Sequence, residues 1–243
     1  MTGPGGRTAI TLDVDWAPDE VVDDVAARLI KSEVCATWFV THASPAIERL
    51  RQRPDLFELG IHPNFGPEST HGDTPEAVLD HCMALVPEAR SMRTHGLVQS
   101  SALLALVRGH TPVRTDASLF LPHAGAVETV AYPLATGVLR RVPYVWEDDA
   151  EMYRTEPSWD AWELANRVHG LAVFNFHPIH VALNSADMRA YESLKERGLA
   201  NVSRDAVVAL SGSGDGARTA FESLLDGLAG SGGRVISELA DAA

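Results

Sequence analysis

The sequence predicts a parallel α/β fold, either a closed barrel or an open sheet, as one domain over residues 8–243 behind a disordered N-terminus at 1–7. Three observations predict it. Short β-branched or aromatic runs alternate with segments of helical period about seven times along the chain, the pattern that lays helices over a parallel sheet. The 243 residues are 45% apolar and 22% charged, which suits one sizeable core. No internal repeat or low-complexity linker divides them.

The run 8–13, Thr-Ala-Ile-Thr-Leu-Asp, reads as a buried strand, β-branched and bounded by Gly6 and Pro18. Val21, Val22, Val25, Ala26, Leu29 and Ile30 then recur at helical spacing behind Asp19 and Glu20, acids that suit a helix N-terminus. A strand is expected at 34–40, a short helix at 45–51 and a strand at 56–61. Further on come a helix near 75–85, a strand near 91–93, a helix near 100–108 and a short strand at 113–114. Between 120 and 145 the chain is punctuated by Pro and Gly and offers only short extended pieces. A helix at 158–168 and a strong strand at 171–176 follow, then helices at 186–196 and 204–210. The Gly/Ser-rich stretch 211–216 reads as a flexible loop, followed by a helix at 217–228 and one last strand at 234–236.

Composition excludes several classes of function. With 33 acidic against 20 basic residues the net charge is -13, and no basic cluster reverses it locally, so nucleic acid is excluded as a partner. Cys35 and Cys82 cannot form a disulfide framework, which fits a reducing compartment. The N-terminal stretch has one basic residue and no apolar run of signal-peptide length, and no window approaches the roughly 18 apolar residues of a membrane span. The expectation is a soluble cytoplasmic protein without a membrane partner, its self-association left open.

Chemistry-bearing residues gather at strand ends. Asp13 and Asp15 stand two apart at the end of the first strand, a spacing that puts both carboxylates on one side and suits a metal ligand beside a general base. His62 follows the strand at 56–61, with His71 nine residues on. His177 and His180 follow the strand at 171–176 across Pro178. In parallel α/β folds the C-terminal ends of the strands open on one face, so these acids and histidines would converge there, in a donor set suited to a zinc-like ion. Arg93 and His95 lie at another strand end, where the guanidinium could clamp a carboxylate. Trp146, Glu147 and Asp148, with Trp16 and His95, are candidates for holding a sugar face.

Taken in order, these motifs resemble the polysaccharide deacetylase (NodB-homology) superfamily, closest to its WbmS-like branch, over residues 8–195. Thr11-Leu12-Asp13-Val14-Asp15 is similar to its first motif, Ala36-Thr37-Trp38-Phe39-Val40 to its second-strand signature, and Glu58-Leu59-Gly60-Ile61-His62 to the segment that introduces its metal histidines. Arg93 falls at its base-orienting arginine, and Phe176-His177-Pro178 resembles its late catalytic strand. The resemblance implies an irregular (β/α)7-type barrel and a metal-dependent hydrolase that removes an N-acetyl group from an amino sugar or sugar conjugate. It implies Asp13 as general base, His177 as general acid, Arg93 holding Asp13, and Asp15 and His62 as ligands of one divalent ion, zinc first, with nickel, cobalt or iron as alternatives. The superfamily's second metal histidine normally lies four residues after the first, and that position is Gly66. The third ligand is therefore expected at His71, with His180 as alternative. Competing readings are a non-catalytic sugar-binding barrel and a hydrolase of another amide or a phosphoester on the same site.

Overall fold

A computed structural model describes residues 4–196, 198–199 and 202–242. Eleven strands are present among them: β1 (Thr8–Asp13), β2 (Ala36–Val40), β3 (Phe57–Ile61), β4 (Ser91–Met92), β5 (Thr115–Asp116), β6 (Ala126–Val127), β7 (Val130–Leu134), β8 (Gly137–Arg141), β9 (Trp146–Glu147), β10 (His169–Gly170) and β11 (Ala172–Phe176). Nine of them form one curled sheet in the order β7-β8-β5-β4-β3-β2-β1-β11-β9, parallel throughout except for the β7–β8 hairpin, and β6 pairs with β10 separately. This is the parallel α/β architecture that the strand and helix alternation predicts, its sheet curled into a half-barrel.

Side-chain alternation in the central strands builds both the core and the site. Ile10, Leu12, Trp38, Val40, Leu59, Ile61, Phe174 and Phe176 belong to the large core that includes the apolar faces of the helices. The intervening positions contribute to a second, smaller cluster with Ala9, Phe39, Tyr144 and Val173. Above that layer the same alternating rows become polar: Thr11 and Asp13 on β1, Asn175 on β11 with His177 just after it, and His62 after β3 are all buried.

The lower end of this interior is closed by a helix, Ile236–Asp241, where a last strand at 234–236 is expected. Arg234 N–H does donate to Thr8 C=O at 3.0 Å, in line with its extended reading, but no ladder forms. The Ile236 N–H is taken by Thr37 Oγ1 (2.9 Å) and the Ser237 N–H by Glu58 Oε2 (3.1 Å), so two strand side chains cap the helix start. At the other end of the chain, Pro4–Arg7 forms one 3-10 turn where disorder is expected. The Arg7 guanidinium reaches the carbonyls of Val168, Gly170 (2.7 Å) and Ala165 (3.3 Å); residues 1–3 lie outside the described residues. The loop 211–216 is hydrogen bonded by Asn184 Nδ2 to the carbonyls of Gly212 and Gly214. No helix among the described residues is long and apolar enough to cross a membrane.

Gly60 is demanded by packing. A Cβ there would lie 2.7 Å from Ser91 Oγ and 2.8 Å from the Phe39 ring, and Phe39 in turn stacks on the Arg93 guanidinium, 4.8 Å away. Gly60→Ala is expected to destabilise the fold by about 1–3 kcal/mol through overpacking, measured as a lower urea midpoint at unchanged slope.

Candidate active site

The C-terminal ends of β1, β3, β4, β9 and β11 converge on a cavity of about 250 Å³ lined by Asp13, Asp15, His62, Thr94, His95, Gly96, Leu97, Glu147, Asp149 and His177. β1 stops at Asp13, and a turn then brings Asp15 in: Asp15 and Trp16 both have positive φ, 43° and 57°. For a bulky residue such as Trp16 that region costs about 1–3 kcal/mol. Trp16 N–H is held by Thr41 Oγ1 at 3.1 Å, and Val14 N–H by Phe39 C=O at 3.1 Å.

Asp15 is the centre of a donor group. Its Oδ1 lies 3.1 Å from His62 Nε2 and 3.2 Å from His95 Nδ1, and one atom from each of the three residues falls within 4.8 Å of the others. His62 donates Nδ1–H to the Arg93 carbonyl at 2.8 Å, which turns Nε2 toward the Asp15 carboxylate, where either a proton on the nitrogen or a metal ion between the two atoms would join them. Metal–nitrogen bonds of about 2.0–2.1 Å place neighbouring donors about 3 Å apart, so the spacing fits one zinc-like ion. Against the cost of burial, the imidazoles of His62 and His95 hold the Asp15 carboxyl well below its ordinary range.

Neither His71 nor His180 joins this group, and His95, expected on the substrate, stands in the place foreseen for them. Helix Pro75–Leu85 draws His71 aside: the ring stacks on His81 (4.9 Å), Nδ1 accepts from Asn64 N–H (3.2 Å), and Cys82 Sγ lies 3.4 Å from Nδ1. Pro178 starts a helix, Pro178–Leu183, that the sequence reading missed, and this carries His180 inward, its Nδ1 3.1 Å from Ser185 Oγ. Burial lowers the pKa of both imidazoles to about 4.

Asp13 sits beside that group, fixed from two directions. Arg93 Nη1 donates to Oδ1 at 3.0 Å and Asn175 Nδ2 to Oδ2 at 2.9 Å. Arg93 is fully buried, sandwiched between the rings of Phe39 and Tyr144 (4.8 and 4.3 Å), with Nε–H on the Ala117 carbonyl at 2.9 Å. It also donates to Thr11 Oγ1 and to Asn175 Oδ1. Burial pushes the Asp13 pKa up, but the charge of Arg93, followed by those of His62 and His177, outweighs it and holds the carboxyl below its ordinary range. The ionised carboxylate is the favoured form. Asn175 was not singled out from the sequence; its signal is its place two residues before His177 and in register with both Thr11 and Glu147.

His177 lines the same cavity as Asp13. Asp148, fully buried, accepts from His177 N–H at 2.8 Å through Oδ2 and from Nδ1–H at 2.7 Å through Oδ1. Burial opposes the imidazolium, yet the Asp148 carboxylate, by charge and hydrogen bond, holds its pKa well above the ordinary histidine value. Nε2 points into the cavity, 3.6 Å from Asp15 Oδ2. Asp148, expected on the sugar, is thus hydrogen bonded to His177. Trp146, also expected there, is a core side chain, 1% exposed and packed on Phe176 at 4.9 Å, because its neighbour Glu147 takes the cavity-facing position on β9. Trp16 is half-buried with its ring edge on His95 at 5.4 Å.

Comparison with known proteins places this arrangement. The family described as WbmS-like polysaccharide deacetylase matches residues 10–195. Among solved structures, WbmS of Bordetella bronchiseptica, described as a candidate polysaccharide deacetylase involved in O-antigen biosynthesis, is 33% identical, with 91% of this chain and 90% of that chain covered and a TM-score of 0.79. The Bc1960 peptidoglycan N-acetylglucosamine deacetylase is 12% identical over 97% of this chain and 88% of that one, TM-score 0.45. A family 4 acetyl xylan esterase of Clostridium thermocellum, solved with cobalt, is 15% identical over 79% and 84%, TM-score 0.41. No curated protein matches the chain.

Proposed function

Because the chain belongs to the WbmS-like polysaccharide deacetylase family, we propose that it is a metal-dependent hydrolase that removes the N-acetyl group of an amino sugar or sugar-containing small molecule. The observation that carries this reading is the pairing, in one cavity, of a cation-held carboxylate, Asp13, with a carboxylate-held imidazole, His177, beside the donor group of Asp15, His62 and His95.

A divalent ion held by Asp15, His62 and His95 would supply Lewis-acid activation of the acetamide carbonyl and of a water. Asp13 takes the proton of the attacking water, its acceptor oxygens aimed by Arg93 and Asn175. His177 gives its Nε2 proton to the departing nitrogen, which leaves poorly as an unprotonated amide anion. Asp148 keeps that imidazole in the tautomer and charge state the step needs. The net charge of -13 supports a small sugar or conjugate over an anionic polymer.

Acetate release from a panel of N-acetylated sugars, measured after chelation and after restoring zinc, nickel, cobalt or iron, tests the reading; no release from any member with any ion would overturn it. The ligand assignment has its own expected result, read by metal analysis. His62→Ala and His95→Ala are expected to lose most of the bound ion, whereas His71→Ala and His180→Ala keep close to one equivalent. Loss of metal in His71→Ala with full loading of His95→Ala would exchange the two roles.

A further inference from the structure

We propose that Trp16 is a positioning residue for His95, the ring that sets this imidazole toward the metal, with His71 as the backstop of the indole. The inference rests on the donor group of Asp15, His62 and His95 assigned above and adds the side chain that holds its least constrained member.

The two histidines of the donor group are oriented by different means. A metal-ligating imidazole usually has its second nitrogen hydrogen bonded, which fixes the ring. His62 meets that rule, with Nδ1–H on the Arg93 carbonyl at 2.8 Å. His95 turns Nδ1 to Asp15 at 3.2 Å, and its Nε2 has no hydrogen-bond partner among the described residues. The Pro63 carbonyl holds the backbone N–H of His95 at 3.0 Å. Its side chain, 35% exposed, is left to ring contacts. Among the described residues these are His62, at 5.4 Å and 85°, and Trp16, at 5.4 Å and 82°.

Trp16 is itself held for this task. The indole packs on His71 at 5.7 Å. His71 is 3% exposed and cannot retreat, because its ring stacks on His81 at 4.9 Å and its Nδ1 accepts from Asn64 N–H at 3.2 Å. The backbone is fixed as well: Ala17 N–H closes the turn on the Val14 carbonyl at 2.8 Å, and Trp16 N–H is held by Thr41 Oγ1 at 3.1 Å. Trp16 has φ 57°, in the left-handed region that glycine or asparagine enters freely and a bulky side chain only under constraint. The position thus carries a large ring against its backbone preference, the kind of outlier that gathers at functional sites. Among the described residues that line the cavity Trp16 is absent, so the group it touches at the site is His95.

The consequence is preorganisation. With the indole present, His95 has one direction to face, and the ion meets a ring already set. Without it, His95 must be ordered at the moment of binding, and the lost rotational freedom weakens the complex.

The test measures zinc affinity by competition with a chromophoric chelator, and the metal-free fold by thermal melting. Trp16→Ala is expected to weaken zinc binding by about 10–100-fold, the usual worth of a group that orients a ligand. Trp16→Phe, which keeps a flat ring, should stay within about threefold of the native protein. The effect must run through His95. In a His95→Ala background the same Trp16→Ala change should therefore move zinc affinity by less than about threefold, whereas a general loosening of the strand ends would weaken both backgrounds alike. Where Trp16→Ala gives no cooperative melt, Trp16→Leu carries the same comparison. Native affinity in the Trp16 variant, or an equal loss with and without His95, would overturn the inference and leave the donor group standing. A His95→Ala protein that binds zinc as tightly as the native one overturns the donor group, and this inference with it.

Discussion

Asp13→Asn is expected to leave the protein folded and metal-loaded while lowering acetate release by about 10²–10⁴-fold, the usual worth of a positioned general base. The substitution keeps the outline of the side chain and one oxygen, which can accept from Arg93 or from Asn175, so one of the two buried hydrogen bonds is kept and the new amide N–H₂ faces the other donor. It removes the proton acceptor, and it removes the charge that the Arg93 guanidinium faces inside its Phe39–Tyr144 sandwich. A buried cation left without its carboxylate costs stability, so a lower melting temperature is expected beside the catalytic loss. Metal content separates the two aspartates: Asp13→Asn should retain the ion, whereas Asp15→Asn should lose most of it, because the donor group is built around Asp15. The opposite pattern on metal analysis would mean that the base and the ligand have been exchanged.

How far the site is legible in sequence follows from how local its causes are. The strand ends carrying Asp13, His62 and His177 are each set by a β-branched or aromatic run with its own stop, and parallel topology brings such ends together whatever the details. The third donor was not legible because it depends on two local events of opposite direction. Gly96, at φ 60°, and the 3-10 turn His95–Leu97 present His95 to Asp15. Packing of Cys82 and His81 on helix Pro75–Leu85 draws His71 away. Sequence distance from His62 favoured His71, and packing overrode it. Trp146 and Glu147 show the same limit at finer grain. A run of aromatic and acidic residues marks a strand end near the site, but the strand's period of two decides which member faces the cavity, and that phase is set by the pairing of Phe174 with Trp146 and of Asn175 with Glu147. The C-terminal segment 234–236 has strand-like residues, yet the capping donors needed by a helix start are supplied by Thr37 and Glu58, about two hundred residues earlier.

Asp148→Asn is expected to lower kcat by about 10²–10⁴-fold with little change in metal content, since the residue touches none of the donor atoms. An asparagine can still accept the His177 backbone N–H through its oxygen. Its amide N–H₂ then faces Nδ1 of the ring, where a carboxylate had accepted a hydrogen bond, and this geometry favours a ring that carries its only proton on Nε2. Such a neutral imidazole is a far weaker acid than the imidazolium. The sign of the pH effect follows: the Asp148 carboxylate raises the pKa of His177, so removing it lowers that pKa, and the acid form is lost at lower pH than in the native protein. The alkaline limb of the kcat profile should therefore move toward acid, while the acid limb, set by Asp13, stays where it was. A structural role alone would lower kcat at every pH by the same factor, and a profile that shrinks without moving its alkaline limb would remove Asp148 from the proton transfer and leave it as a brace for the strand end.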